Sequence, residues 1–332
     1  MTQQNVYEQL ADMYETVGAV KTPALMKILR LQFTPLEARM AVQIGFKGGK
    51  LDELPEKTST EKGRLKRMLN TMADKGTMWI DPGKEDPTYR LIPLAAGGIS
   101  ETGLWCNIKF PFSVELGKAL HEFMDDWARE SLSKIGVPVF PVWAATAALP
   151  DDALPSENLA EFIKDKGHWS LSPCPCRLSH WLSEPGNHCQ HILETCLHFG
   201  DMSRWTTEHG MARVLTYEEA VELLQKGNED GLIHTLAGEC ICNCCNDCCI
   251  MARVVKLGAP AYVPTPFWAQ VDEETCDGCK ICAELCPMGA IEVDEFAYVN
   301  QDVCLGCGVC VTACKPKSLR LVRRPKAEPA KV

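Results

Sequence analysis

The chain of 332 residues lacks the long apolar run that a membrane-spanning helix requires. Its longest apolar stretch, residues 137–150, is too short to cross a bilayer and contains three prolines. The patterns G-x-G-x-x-G and G-x-x-x-x-G-K-[S/T] are also missing, so the sequence gives no grounds for a dinucleotide, flavin or P-loop site. The first twenty residues lack the charged, apolar and small-residue segments of a secretory leader, and we therefore expect a cytoplasmic protein without a membrane span.

Cysteine, by contrast, is abundant, with 19 residues in the chain. In a reducing compartment this number points to metal ligands and not to disulfides. Two runs share the spacing C-x2-C-x2-C-x3-C and start 28 residues apart. The first run is Cys276, Cys279, Cys282 and Cys286, and the second is Cys304, Cys307, Cys310 and Cys314. Zinc sites usually have two C-x2-C halves joined by a long loop, so this spacing indicates two 4Fe–4S clusters.

The spacing also predicts which cysteine binds which cluster. Where two such runs occur together, the fourth cysteine of each run binds the cluster of the other run. The predicted ligand sets are Cys276, Cys279, Cys282 with Cys314, and Cys304, Cys307, Cys310 with Cys286.

On these eight cysteines, residues 271–321 resemble bacterial two-cluster ferredoxins. The resemblance implies a small lobe of two similar halves with short strand pairs, such as residues 290–293 with 298–300. The second run ends in Cys314-Lys315-Pro316 and not in Cys-Pro, which leaves the local turn open. We place this lobe at residues 266–322, followed by a tail at 323–332.

The N-terminal domain, residues 1–105, is predicted to contain a winged helix. Thr34 and Glu37 have the spacing of a capping box, and so do Thr58 and Glu61, which predicts a helix after each pair. Two extended runs around a Pro-Gly turn then predict a hairpin wing. An amphipathic helix before them, with Val6 on its apolar face, is expected to pack on this domain or on a second subunit.

The helix after Glu61 is basic, because it contains Lys62, Arg64, Lys66 and Arg67. One interpretation is a DNA-reading helix in an iron–sulfur transcription regulator. The other is a docking module with a solvated basic face. Residues 1–105 have 14 basic against 13 acidic residues, whereas DNA readers usually have a clear basic excess, so docking is favoured.

Residues 106–265 are predicted to form a mainly helical, cysteine-rich domain, which makes the fold class α+β. We expect one or two further clusters here, with zinc as the alternative metal. Neighbouring side chains diverge, so each adjacent cysteine pair is expected to serve two centres. The predicted ligands are Cys174, Cys176, Cys189, Cys196, Cys242, Cys244, Cys245, Cys248 and Cys249. The simplest partition puts the first four at one centre, and cross-ligation between the two groups is the alternative.

Other side chains in this domain are candidates for a supporting role. Arg177 follows Cys176 and is predicted to donate hydrogen bonds to cluster sulfurs and to offset their charge. Four histidines lie nearby at His180, His188, His191 and His198. Each is expected to bond backbone or water, with replacement of a thiolate ligand as the alternative.

The chain as a whole resembles a group of 4Fe–4S binding proteins from anaerobic bacteria and archaea. The matching residues are Cys174–Arg177, Glu194–Cys196, Ile241–Cys245 and the eight ferredoxin cysteines. The resemblance implies an electron-transfer relay inside a larger redox assembly. The net charge of −10, with nine acids and three lysines in residues 271–319, fits a partner with a basic patch, and solubility alone is the equal alternative.

The leading hypothesis is an iron–sulfur protein that relays single electrons to or from a partner oxidoreductase. We favour a subunit of such a complex over an enzyme acting alone, because no hydride carrier site is evident. One alternative is the iron–sulfur-dependent transcription regulator. Another is a reductase with an unusual catalytic cluster in residues 240–249, since the cysteines exceed what simple cubanes need.

Overall fold

A computed structural model describes residues 3–93, 98–107, 113–184, 186 and 189–325. His188 and most of the expected tail lie outside these residues. No helix within these ranges is long and apolar enough to cross a membrane.

Helices and a small antiparallel sheet form the N-terminal region. The helices are α1 Gln3–Glu15, α2 Pro23–Gln32, α3 Pro35–Ile44, α4 Leu54–Thr58, α5 Lys62–Asp74 and α6 Ile99–Asn107. The strands are β1 Gly49–Lys50, β2 Met78–Ile80 and β3 Thr88–Leu91, in the order β1-β3-β2. The expected hairpin of β2 and β3 is present, with Ile80 opposite Tyr89.

One of the two predicted capping boxes is confirmed and the other is wrong. At α3, the Thr34 hydroxyl accepts from the Glu37 N–H at 3.3 Å, and the Glu37 carboxylate accepts from the Thr34 N–H at 2.7 Å. At α5, Glu61 is itself the N-cap, and its carboxylate accepts from the N–H groups of Gly63 and Arg64. Thr58 instead ends α4, because its hydroxyl donates to the Leu54 carbonyl.

The middle region contains a mostly antiparallel sheet with helices around it. The helices are α7 Ser113–Glu130, α8 Leu159–Lys164, α9 Pro175–Ser183, α10 Gly200–Glu208, α11 Tyr217–Glu229 and α12 Ile250–Lys256. The strands are β4 Phe140–Trp143, β5 Trp169–Pro173, β6 Glu194–Phe199, β7 Arg213–Leu215, β8 Ile233–Ala237, β9 Cys240–Cys244 and β10 Tyr262–Val263. Their order is β10-β4-β8-β9-β6-β5-β7, and only β10 and β4 pair in parallel among the described strands.

Helices in the middle domain were predicted, but its seven-stranded sheet was not. The sequence Cys-Ile-Cys-Asn-Cys of β9 has the period of two that a strand requires, with cysteine on one face. Ile241 on the other face is fully buried in an apolar cluster with Leu197 of β6. Buried cysteine also packs as a small apolar residue, so the cysteines of β9 are one face of a strand as well as candidate metal ligands.

The C-terminal lobe consists of short strands and single-turn helices. Its elements are β11 Phe267–Val271, α13 Ile281–Leu285, β12 Ile291–Val293, β13 Ala297–Val299, α14 Val309–Ala313 and β14 Leu319–Arg323. Strand β11 pairs with β14, and β12 pairs with β13, both antiparallel. The strand pair expected from the ferredoxin resemblance is thus present.

The 28-residue repeat is visible in the backbone of the two halves. Lys280 and Gly308, at the starts of α13 and α14, both have positive φ angles of 67° and 79°. The turn left open at Cys314-Lys315-Pro316 has the same form as its counterpart. The Lys317 N–H donates to the Cys314 carbonyl at 3.2 Å, as the Gly289 N–H does to that of Cys286.

Candidate metal centres

Two small cavities of about 20 Å³ each lie in the C-terminal lobe. The cysteines that line one cavity are Cys276, Cys279, Cys282 and Cys314. Those that line the other are Cys286, Cys304, Cys307 and Cys310. The short helix that contains the third cysteine of each run carries the chain away, so the fourth cysteine of each run lies at the cavity of the other.

Backbone N–H groups point at several of these thiols. Ala297 donates to Cys276 Sγ at 3.4 Å, and Ala290 donates to Cys286 Sγ at 3.3 Å. Ala269 donates to Cys304 Sγ at 3.5 Å. Such bonds stabilise the thiolate form and tune the potential of a metal centre that the thiolates hold.

The two cavities differ in their exposure. At equivalent positions, Cys279 of the first is exposed, whereas Cys307 of the second is half-buried. Burial raises the pKa of Cys307 to about 12. The Cys307 carbonyl also accepts from the Ala145 N–H at 2.8 Å, so the second cavity lies against the middle region.

A larger cavity of about 200 Å³ lies beside the cysteine face of β9. It is bounded by the sheet, the start of α9 and the start of α12. Its cysteines are Cys174, Cys176, Cys196, Cys242, Cys244, Cys245 and Cys249. Apolar side chains such as Trp127 and Phe140 line its other sides, so the thiols face a largely apolar space.

The two adjacent cysteine pairs divide their sulfurs between two groups. Cys249 hydrogen-bonds Cys176 and Cys244, and Cys176 also hydrogen-bonds Cys174. The bonds from Cys174 and Cys249 raise the pKa of Cys176 well above its usual value. We call Cys174, Cys176, Cys244 and Cys249 the central group. The second group, here the trithiol group, is Cys189, Cys245 and Cys248. Its Cys245 Sγ lies 3.9 Å from Cys189 Sγ and 3.6 Å from Cys248 Sγ.

A third group contains a cysteine that the sequence interpretation omitted. Cys196 Sγ of β6 lies 3.3 Å from Cys240 Sγ of β9, and His198 completes a buried group of three. His198 bonds Ser172 Oγ at 3.2 Å, and burial lowers its pKa to about 3. Recognition of β9 as a strand would have placed Cys240 on the same face as Cys242. Cys189 and Cys196 thus lie in different groups, unlike in the simplest sequence partition.

Arg177 lies between the central and trithiol groups and is completely buried. Its guanidinium donates to the carbonyls of Ile192 and Asn243 and to the Thr195 hydroxyl, at 2.6–2.9 Å. Its Nε–H has no partner among the described residues, and this donor remains available to a sulfur in the cavity. Burial acts to lower the pKa of Arg177, but nearby thiolates such as Cys174 outweigh it and raise the pKa.

The side chains of His180 and His191 contact residues outside the thiol groups. His191 Nδ1 lies 3.2 Å from an Asp230 carboxylate oxygen. His180 packs against His121 with ring centroids 5.2 Å apart. Neither contact is the bond to backbone or water expected from the sequence, and among the described candidate histidines only His198 shares a group with thiols.

Comparison with known protein families supports the C-terminal assignment. Residues 275–318 match the family model of the 4Fe-4S dicluster domain, and this range includes all eight ferredoxin cysteines. Neither the curated proteins nor the solved structures give a match. The chain thus contains a dicluster 4Fe–4S domain, and its further cysteine groups are compatible with additional clusters.

Proposed function

We propose that the protein is an iron–sulfur electron-transfer subunit. It exchanges single electrons with a partner at the C-terminal lobe and relays them to a further iron–sulfur centre in the middle region. The observation that carries this proposal is the presence of three separate four-cysteine groups, two of them in a domain that matches 4Fe–4S proteins. A 4Fe–4S cluster supplies one-electron chemistry when it is bound.

The packing between the lobe and the middle region supports the relay. Leu305 and Val309, beside the second cavity, belong to one buried cluster with Cys244 and Cys249 of the central group. This shared cluster joins the lobe to the middle region by apolar packing. Arg177 supplies a buried positive charge that offsets the thiolates of the middle region.

The hairpin of β12 and β13 is the proposed docking surface for the redox partner. Glu292, Asp294 and Glu295 are exposed there, next to the exposed ring of Tyr298. The hairpin also contributes the Ala297 N–H to Cys276 Sγ. An acidic surface this close to a metal site steers a basic partner towards it.

Charge reversal on this hairpin should slow reduction by a positively charged donor. We expect Glu292→Lys with Glu295→Lys to lower the second-order rate with a reduced viologen by about fivefold at low salt, because local attraction becomes repulsion. Stopped-flow measurements at low and high salt would show the difference shrinking with ionic strength. Glu56→Lys, an exposed change on α4, is the control. An equal effect of the control would contradict docking at the hairpin.

We further propose that the N-terminal domain contains a winged helix that acts as a docking module. Trp79 of β2 stacks on Trp205 of α10 with centroids 5.1 Å apart. Asp74 at the end of α5 lies 2.7 Å from His209. The wing and the end of α5 thus both hold the N-terminal region on the cysteine-rich region, which supports docking over DNA recognition.

The size of the larger cavity beside β9 favours a reductase as the second candidate. Its volume of about 200 Å³ exceeds the 20 Å³ of either ferredoxin cavity, which leaves room for a small substrate beside a cluster. Spectra of the reduced protein that do not respond to thiols, disulfides or thioesters would count against this candidate.

Iron and acid-labile sulfide content tests the electron-transfer proposal. For protein purified without oxygen, we expect about twelve irons and twelve sulfides per chain, four for each of three cubanes. About eight of each would restrict the clusters to the C-terminal lobe. A content near zero would overturn the proposal altogether.

A further inference from the structure

The trithiol group has a geometry unlike that of the ferredoxin cavities. Ligand atoms of Cys189, Cys245 and Cys248 all lie within 4.8 Å of one another. No three of the described ferredoxin cysteines form a group this tight. The four thiolates of a cubane bind four different irons and are held apart, whereas thiolates on one metal ion converge on a single point.

The observed sulfur separations fit a single ion. A tetrahedral Zn²⁺ with Zn–S bonds of about 2.3 Å places its sulfurs about 3.8 Å apart. Cys245 Sγ lies 3.6 and 3.9 Å from the other two sulfurs. All three residues are buried, so the group is a formed site and not a surface coincidence.

Backbone hydrogen bonds also prepare this group for a metal. The His191 N–H bonds Cys189, and the Asp247 N–H bonds Cys245, each two residues beyond the thiol it serves. Such bonds stabilise thiolates that ligate a metal. Zn²⁺ with three thiolates has a net charge of −1, and the buried Arg177 guanidinium nearby offsets it.

We propose that Cys189, Cys245 and Cys248 bind one zinc ion, separate from every iron–sulfur centre. The ion joins the segment before β6 to the loop between β9 and α12. Cys244 and Cys249 of the central group lie at the two ends of this loop. Because Zn²⁺ has no redox chemistry, it holds this loop in place without carrying electrons. The inference stands on the sulfur geometry and does not depend on the proposed electron-transfer function.

The adjacent cysteine pairs provide matched variants for a test. We expect Cys245→Ser and Cys248→Ser to lose about one zinc per chain while keeping iron and sulfide. Their neighbours Cys244→Ser and Cys249→Ser should keep zinc and lose about four irons and four sulfides. Elemental and sulfide analysis of protein isolated without oxygen measures both sets. X-ray absorption at the zinc edge of the unaltered protein should show sulfur at about 2.3 Å, which needs no variant to fold.

Each contrary result is distinct. Absence of stoichiometric zinc from the unaltered protein would overturn the inference. So would loss of iron from Cys245→Ser and Cys248→Ser, with or without sulfide. Neither result changes the expected eight irons of the ferredoxin lobe, and that iron content tests the proposed function separately.

Discussion

We expect Cys286→Ser to remove or convert the metal centre at Cys304, Cys307 and Cys310, although Cys286 belongs to the other run. Its thiol lines the same cavity as those three, and the turn ending in Gly289 directs the chain there. Serine keeps the size of cysteine but is a poor iron ligand. About four irons, or one iron if a three-iron form survives, should be lost from that site only.

Electron paramagnetic resonance of the reduced protein, together with iron analysis, distinguishes the two sites. Cys314→Ser is the reciprocal variant and should damage the centre of Cys276 and its neighbours instead. Cys106→Ser in α6 is the control, because this cysteine lies outside all the thiol groups, and both signals should persist. Damage by each variant to the centre of its own run would reverse the ligand assignment.

Arg177→Met should destabilise the middle region more than any surface change. Arg177 is the buried cation between two thiol groups, and it donates to three oxygen atoms. Its removal leaves thiolate charge and carbonyl groups uncompensated, for which we expect a loss of about 3–5 kcal/mol in the free energy of unfolding. Denaturant titration followed by tryptophan fluorescence, with iron release measured alongside, gives the comparison.

The matched variant is Arg213→Met. Arg213 pairs with Glu219 at 3.2 Å, but its side chain is 60% exposed. An exposed pair contributes about 1 kcal/mol or less, so this variant should remain close to the unaltered protein and retain its iron. Similar stability losses in both variants would show that Arg177 has no special role beside the thiols.

The C-terminal cavities could be predicted from the sequence because their ligands are close together along the chain. Three cysteines of each set lie within seven residues, and the fourth is the last cysteine of the other run. The turn after Cys314 matched its counterpart without the Cys-Pro sequence, since Lys317 adopts the positive φ that Gly289 has in the first half.

The middle region could be predicted only in part. The divergence of adjacent cysteines followed from local geometry, and the structure separates both pairs. The partners could not be predicted, because Cys189 and Cys245 are 56 residues apart and meet only through the packing of the sheet. Cys240 was missed for the same reason, since its nearness to Cys196 depends on the pairing of β6 with β9.

The repeated halves of the C-terminal lobe have the same loop but unequal surroundings. Cys279 of the first half is exposed beside an acidic hairpin, and its counterpart Cys307 lies against the middle region. Solvent exposure and nearby charge both change the reduction potential of such a site. Two loops with one cysteine spacing thus lie in unlike surroundings, and we expect the two centres of the lobe to differ in reduction potential.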